Sequence, residues 1–158
     1  MALDELERVG VERMTEREIR DFLASQGVGV LGLPAEGAPY LLPMSFGYDG
    51  DDRLYFSYLV AEASRKTDLT ERASTAAFLV YTASSPFVWQ SVRLTGPLER
   101  VPDDEIEEVT DALDNAWRPA VFEDAEVAGE FRVYRLSVDE QVGVKHTGLP
   151  PGIGGDEV

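Results

Sequence analysis

The chain has 158 residues, 44% of them hydrophobic, which suits one folded domain and excludes a disordered chain for most of its length. Its 30 acidic and 14 basic residues give a net charge of −16, which argues against nucleic acid and against an anionic membrane surface, because Lys and Arg bind both. With no cysteine, the sequence excludes disulfides, Cys-bound zinc and a thiol nucleophile.

The first predicted element is an arm over residues 1–14, either loose or partly folded as a short surface helix. A signal peptide would be basic and then apolar here, and no apolar run is long enough to span a bilayer, so we expect a cytoplasmic protein. A helix follows, since Thr15 and Glu18 fit a T-x-x-E capping box and the next apolar residues repeat at helical spacing. Gly27 ends this helix.

The hydrophobic pattern then changes to alternation, which predicts strands over residues 28–33, 40–48 and 54–58, joined as a β-meander. The glycines between positions 27 and 32 fit the pattern G-x-G-x-x-G. The dinucleotide-binding fingerprint must follow a strand and open a helix, whereas here a helix precedes the glycines. We therefore predict a strand whose small residues let another backbone pack closely.

Pro43 interrupts the second of these strands, and proline cannot donate a hydrogen bond to a neighbouring strand. The segment is therefore an edge strand, a bulge or a place where a ligand meets the backbone. Pro43, Met44, Ser45 and Phe46 could offer unpaired backbone groups to a flat ligand. The alternative is an ordinary edge strand without a ligand.

A helix over residues 64–72 is predicted from its spacing and its Ser start, and it begins with Ser64, Arg65 and Lys66. A helix start offers free N–H groups and the positive end of a dipole. The Ser hydroxyl, the planar Arg guanidinium and the Lys point charge complete a compact phosphate site in a protein that otherwise repels anions. The alternative is a capped surface helix with two solvated bases.

Two further strands are predicted over residues 75–82 and 87–101. Gly96 and Pro97 inside the longer strand suggest the bend by which a sheet curls into a barrel. A helix begins at Pro102 with acidic residues at its positive end. The apolar stripe of that helix is Ile106, Val109, Leu113 and Trp117.

The last one or two strands are predicted over residues 131–144, and residues 147–158, rich in Gly, Pro and acid, form a mobile tail. About six strands and three helices around one core predict an α+β fold, a small antiparallel barrel that carries helices. We expect the folded domain to span residues 15–146.

Trp89, Ser91 and Arg93 alternate along one strand and so share a face. A large ring, a hydroxyl and a base on one face could line a ligand groove. The alternative is a half-buried strand with Trp89 in the core.

His146 is the only histidine, so a Ser–His catalytic pair would have to use it. It lies beside the predicted tail, and the chain has no G-x-S-x-G motif. One histidine with scattered surface acids makes an equally poor metal site. We therefore predict neither a hydrolase triad nor a metal site.

The segments in this order resemble the flavin-binding split-barrel group related to pyridoxamine 5′-phosphate oxidase, especially its short branch that includes the nitroimidazole-resistance proteins. The likeness covers roughly residues 15–145. It is carried by the segments at 29–33, 39–40, 43–49 (Pro-Met-Ser-Phe-Gly-Tyr-Asp), 54–56, 64–66 (Ser-Arg-Lys), 89–92 and 96, and by the final strand.

This resemblance implies a six-stranded antiparallel split β-barrel with flanking helices, a homodimer, and one FMN in each of two clefts between the subunits. By the same likeness, Arg65 and Lys66 hold the FMN phosphate and Ser64 assists. The strand of Pro43, Met44, Ser45 and Phe46 lies along the isoalloxazine ring. Trp89 and Ser91 border the cleft, toward the neighbouring flavin.

The activity that follows from the resemblance is that of an FMN-dependent oxidoreductase passing electrons or hydride to a small-molecule acceptor. Alternatives on the same fold are a non-catalytic flavin- or haem-binding protein and a deazaflavin-dependent reductase. The chain carries Ser57 where nitroimidazole-resistance relatives tend to carry His, which puts their chemistry in doubt here. We also expect it to lack the C-terminal substrate-binding part of true pyridoxamine phosphate oxidases, and so not to oxidise vitamin B6. Its Val144, Lys145 and His146 match the family's closing Gly-Lys only loosely.

Salt dependence is expected from the basic residues, because 12 of the 14 are Arg and the only lysines are Lys66 and Lys145. A large acidic excess with little Lys indicates adaptation to a salt-rich cytoplasm, where screening removes the self-repulsion of the charge. The protein should lose folded structure in dilute buffer. A thermal melt as high in low salt as in molar salt would contradict this prediction.

Overall fold

A computed structural model of the chain describes residues 5, 7–60, 65–112 and 130–148. Its helices are α1 (Glu16–Ser25), α2 (Arg65–Arg72) and α3 (Ile106–Asp111), the last preceded by a 3₁₀ turn at Asp103–Glu105. Its strands are β1 (Val11–Arg13), β2 (Val28–Leu33), β3 (Tyr40–Ser45), β4 (Gly47–Tyr48), β5 (Arg53–Val60), β6 (Ala76–Ser85), β7 (Val88–Gly96), β8 (Leu98–Arg100), β9 (Glu130–Ser137) and β10 (Glu140–Thr147). None of the helices in these ranges is long and apolar enough to cross a bilayer.

The strands form two antiparallel sheets, ordered β1-β10-β7-β6-β2-β3 and β4-β5-β9-β8. A strand continues almost directly from one sheet into the other at two places, where β3 runs into β4 and β7 runs into β8. The pairings then close a ring of β2, β3/β4, β5, β9, β8/β7 and β6, with β10 and β1 added outside it on β7. The predicted α+β fold, a six-stranded split barrel with helices, is confirmed.

One of the two sheet crossings occurs where the sequence weakens a strand. The predicted strand over residues 87–101 divides at Pro97, which has no N–H to give to a ladder, directly after Gly96. A Cβ on Gly96 would lie 1.8 Å from the carbonyl oxygen of Ser137, so only glycine fits this corner. The predicted strand over residues 40–48 divides at Phe46 instead.

The barrel interior holds a continuous hydrophobic core. The Phe78 ring lies 5.3 Å from that of Phe46 and 4.8 Å from that of Phe56, measured between centroids. Helix α1 buries its predicted stripe of Ile19, Phe22 and Leu23 against the same core.

The local predictions for the first helix and strand are also confirmed. Thr15 accepts a hydrogen bond from the Glu18 N–H and Glu18 accepts one from the Thr15 N–H, which is the predicted capping box. The glycines at 27–32 lead into and form strand β2, not a nucleotide-binding turn. A Cβ on Gly29 would lie 2.6 Å from the carbonyl oxygen of Leu79, so β6 packs closely there, as expected.

The ends of the barrel domain differ from the local prediction. Val11–Arg13 is not a loose arm or helix but a strand that pairs with Val144, Lys145 and His146. The final strand therefore continues to Thr147, three residues beyond its predicted end. Strand pairing gives the backbone N–H and C=O groups of both segments hydrogen-bond partners, and Val11 and His146 are buried there. Leu113, Trp117 and residues 149–158 lie outside the described residues.

Candidate functional site

Helix α2 follows β5 and is attached to the barrel by two tyrosines. The Tyr58 hydroxyl lies 2.9 Å from Thr70 Oγ1, and the Tyr134 hydroxyl donates a hydrogen bond of 2.5 Å to Glu71 Oε1. The two rings lie 4.5 Å apart in the core. Burial raises the pKa of Tyr58 to about 12, so its hydroxyl keeps its proton at neutral pH. These contacts fix the helix whose first residues the sequence singled out.

Arg65 and Lys66 lie over aromatic rings of two different strands. Arg65 Cζ is 5.2 Å from the centroid of the Tyr40 ring on β3, and Lys66 Nζ is 4.6 Å from that of Tyr58 on β5. Both distances are within the range of cation–π attraction. Neither side chain forms an ion pair with a carboxylate of the described residues. Ser64, the third member of the predicted phosphate site, lies outside the described residues.

The two lysines of the chain have opposite electrostatic surroundings. Lys145 forms ion pairs with Glu18 and Glu12, the latter at 4.0 Å. Lys66 is half-buried with no such partner in the described ranges, and burial lowers the pKa of its ammonium. An anion bound beside Lys66 would therefore supply a missing counter-charge, whereas Lys145 already has two.

Strand β3 is the edge of the six-stranded sheet, since it pairs with β2 alone in that sheet, and this is one of the three alternatives that Pro43 left open. Pro43 and Ser45 are exposed on its outer face, and Met44 is half-buried against the core. The Phe46 side chain is fully buried in the core, so at that position the backbone alone can face a ligand.

Trp89 and Ser91 lie on the outer face of β7 and not in the core. They are opposite Ala83 and Tyr81 of β6, and these residues line a shallow cavity of about 320 Å³. Two strands, β6 and β2, separate β7, which carries Trp89 and Ser91, from β3. A single chain therefore does not bring Trp89 and Ser91 to the segment of Pro43 and Ser45.

The outer face of this sheet exposes large apolar side chains. Leu41 of β3 is 66% exposed, Val28 of β2 59% and Tyr81 of β6 57%, and each alternates with less exposed residues of its strand. Exposed apolar residues that share one face of a sheet are a feature of interaction surfaces. Trp89 and Ser91 belong to the same face.

His146 is buried. Its Nδ1 atom lies 2.6 Å from the carbonyl oxygen of Phe87, and its ring contacts those of Phe87 and Trp89. These contacts give the histidine a structural role at the pairing of β10 with β7.

Sequence reasoning missed the residues that hold the two cations. The sequence pattern identifies Tyr58 only as part of an alternating strand. Tyr58 nevertheless shares a face of that strand with Leu54 and Phe56, which places it inside the barrel. Thr70 follows Lys66 by four residues and so shares its side of α2. Tyr40 carried no local signal, because its contact with Arg65 depends on the packing of α2 beside β3.

The fold matches solved structures over nearly the whole chain. One is an FAD-binding protein of Mesorhizobium loti, with 19% identity, a TM-score of 0.68, and 87% of this chain and 97% of that chain covered. Another is the FAD and haem binding protein of Mycobacterium smegmatis, with 20% identity, a TM-score of 0.67, and 94% and 77% covered. A proposed 5-nitroimidazole antibiotic resistance protein of Bacteroides thetaiotaomicron has 19% identity, a TM-score of 0.64, and 86% and 89% covered.

No curated protein matches the sequence. A family model does match it: the model of pyridoxamine 5′-phosphate oxidase aligns with residues 15–145, which include the whole barrel and helix α2. The chain therefore belongs to the pyridoxamine 5′-phosphate oxidase family.

Proposed function

We propose that this protein is a cytoplasmic FMN-dependent oxidoreductase whose phosphate site is formed by Arg65 and Lys66. The observation that carries the proposal is that these two cations start helix α2 beside aromatic rings, without a described carboxylate partner, in a chain of net charge −16. Two unmatched positive charges in so acidic a protein are suited to an anionic ligand. Family membership and the flavin named for two of the related structures make a flavin phosphate the fitting anion.

The residues present fit the two ends of the cofactor. The Arg65 guanidinium and the Lys66 ammonium supply charge-assisted donors for a phosphate, and Ser64 is proposed to add its hydroxyl. Edge strand β3 exposes Pro43 and Ser45 on one face, which suits a flat ring lying along its backbone.

The bound FMN supplies the redox chemistry, exchanging electrons or hydride with a small-molecule substrate. The residues of the chain bind the phosphate, orient the ring along β3 and keep water away from it. No side chain needs to act as a general acid or base. This agrees with a site built of cations, tyrosines and small exposed residues.

We also propose that the protein is a homodimer through the outer face of the six-stranded sheet. That face exposes Leu41, Val28 and Tyr81, and it carries Trp89 and Ser91 away from the β3 of the same chain. A second copy seated on it would bring its own Trp89 and Ser91 toward β3 of the first, and the cofactor would lie between the two.

Tyr81→Asp is expected to produce a monomer that retains little FMN, because it places a charge at the centre of the proposed interface. The measurement is light scattering after size exclusion in molar salt, with the absorbance of retained flavin. Ala24→Asp is the matched control, since Ala24 is exposed on α1 and the same charge is added there. A Tyr81→Asp protein that remains dimeric would contradict the proposed interface.

The experiment that tests the cofactor is the absorbance spectrum of protein purified in strong brine, followed by mass analysis of the released molecule. Yellow protein that releases FMN and is reduced by a nicotinamide cofactor or a dye supports the proposal. Bound flavin that is reduced by neither a nicotinamide cofactor nor a dye indicates a non-catalytic binding protein. Release of FAD, haem or a deazaflavin would show that this molecule, and not FMN, is the bound cofactor. Colourless protein without FMN affinity in high salt overturns the proposed function.

A further inference from the structure

We infer that Tyr58 is a positioning residue of the phosphate site, which holds Lys66 at both its main-chain carbonyl and its side-chain ammonium. This inference deepens the proposed function and rests on Lys66 being the phosphate ligand. Tyr58 does not contact the ligand itself in this scheme. It fixes where the helix start and its charge are placed.

The first connection runs through Thr70. Thr70 Oγ1 donates a hydrogen bond of 2.8 Å to the carbonyl oxygen of Lys66, one helical turn earlier. A hydroxyl has a single proton to donate, so the bond of 2.9 Å between Tyr58 and Thr70 must run from the Tyr58 hydroxyl to Thr70 Oγ1. The chain of donors is therefore Tyr58 to Thr70 to the Lys66 carbonyl, and it ties the first turn of α2 to a core residue of β5.

The second connection is the face of the same ring. Lys66 Nζ lies 4.6 Å from its centroid, while the Tyr58 side chain is itself fully buried. Burial disfavours the charged ammonium, and the negative face of an aromatic ring offsets part of that cost without neutralising the charge. The ammonium is thus held in place and remains available to a phosphate, which an ion pair with a carboxylate would prevent.

The other groups packed around Tyr58 attach the helix through Glu71, the residue after Thr70. Tyr134 of β9 stacks on the Tyr58 ring, and Glu71 of α2 accepts hydrogen bonds from Tyr134 and from Arg132. Arg65 precedes Lys66 and lies over Tyr40. Tyr134 therefore anchors the last turn of α2 through Glu71, without a hydrogen bond that continues to the Lys66 carbonyl as the one through Thr70 does, and it serves as a matched control.

The test uses the two lysines as internal probes. In protein labelled with ¹³C-lysine, Lys66 and Lys145 give two Cε signals, and Lys66→Arg assigns them. The pKa of Lys66 is measured in the full chain in molar salt without cofactor, and FMN affinity is measured separately. Both are recorded for the parent protein, Tyr58→Leu, Tyr58→Phe and Tyr134→Phe.

We expect Tyr58→Leu to lower the pKa of Lys66 and to weaken FMN binding by about tenfold or more, because both the hydrogen bond to Thr70 and the ring face beside the ammonium are lost. Tyr58→Phe should keep the pKa, because the ring remains, and weaken FMN binding several-fold, because the donor to Thr70 is lost. Tyr134→Phe should leave the acid dissociation constant of Lys66 and the dissociation constant of FMN within about twofold of the parent values.

An unchanged Lys66 titration in Tyr58→Leu, or unchanged FMN affinity in Tyr58→Phe, would overturn the inference, as would equal effects in Tyr134→Phe. If Tyr58→Leu does not fold, Tyr58→Phe keeps the core volume and carries the test alone. If no variant and no parent protein binds FMN, the proposed function fails, while the Lys66 titration still reports whether Tyr58 holds the ammonium.

Discussion

Replacing Arg65 and Lys66 together with alanine is expected to weaken FMN binding by about 3 kcal/mol or more, over a hundredfold in the dissociation constant. Each hydrogen bond to a charged group contributes roughly 1.5–3 kcal/mol, and the variant removes both cations from the start of α2. Fluorescence titration with FMN in molar salt measures the change. The effect should be seen with little loss of stability, since neither side chain has an ion pair within the described ranges to lose.

The matched control for this prediction is Arg8→Ala with Arg13→Ala. It removes the same two positive charges from the chain, and both residues are exposed and form no ion pair with the described carboxylates. FMN affinity should stay close to that of the parent protein. Unchanged affinity in the Arg65 and Lys66 variant refutes the assigned site, and an equal loss in the control would show that only the overall charge matters.

Gly96→Ala is expected to destabilise the barrel by about 3 kcal/mol or more, at or above the upper end of the usual cost of overpacking a core. A Cβ there would lie 1.8 Å from the Ser137 carbonyl oxygen and 2.9 Å from its carbon. These are backbone atoms of β9, and nearby hydrogen bonds from Ser137 to Pro97 and from Asp139 to Thr95 hold that strand in place. The corner where β7 passes into β8 would have to open.

Chemical denaturation in molar salt, followed by circular dichroism, measures the free energy of unfolding of this variant. Gly27→Ala is the control, because nothing lies within 4 Å of a Cβ at that position and its backbone needs no glycine. Its stability should change by no more than about 0.5 kcal/mol. A Gly96→Ala protein as stable as the control would mean that the corner can relax, and that the barrel does not depend on close approach there.

The proposed phosphate site suggests how a strongly acidic protein can keep cations available for a ligand. Most of its described basic side chains have a carboxylate partner, as Lys145 has in Glu18 and Glu12. Arg65 and Lys66 lie instead over tyrosine rings, which attract a cation without cancelling its charge. Aromatic support in place of ion pairs thus leaves two charges unmatched where the anion is proposed to bind.

The sequence by itself determined the features that depend on near neighbours along the chain. The capping box of Thr15 and Glu18 needs residues three apart, and alternation along β2, β3 and β5 needs only the two-residue period of a strand. Gly96 and Pro97 marked a barrel corner, and Pro43 marked an edge, a bulge or a ligand contact, because each removes a side chain or a donor that a regular strand requires. The cationic start of α2 was likewise readable as a cluster of adjacent residues.

Only the tertiary structure decided how these segments meet. Pairing of Val11–Arg13 with the final strand joins segments over a hundred residues apart, so the arm gave no local sign of being a strand. The contact of Lys66 with Tyr58 joins residues that are close in the chain, but it needs α2 to pack against the ring of a barrel strand, and the two strands that separate Trp89 from β3 follow only from the order of the sheet. Such contacts depend on ring closure and packing between distant elements, which a repeating pattern of a few residues does not encode.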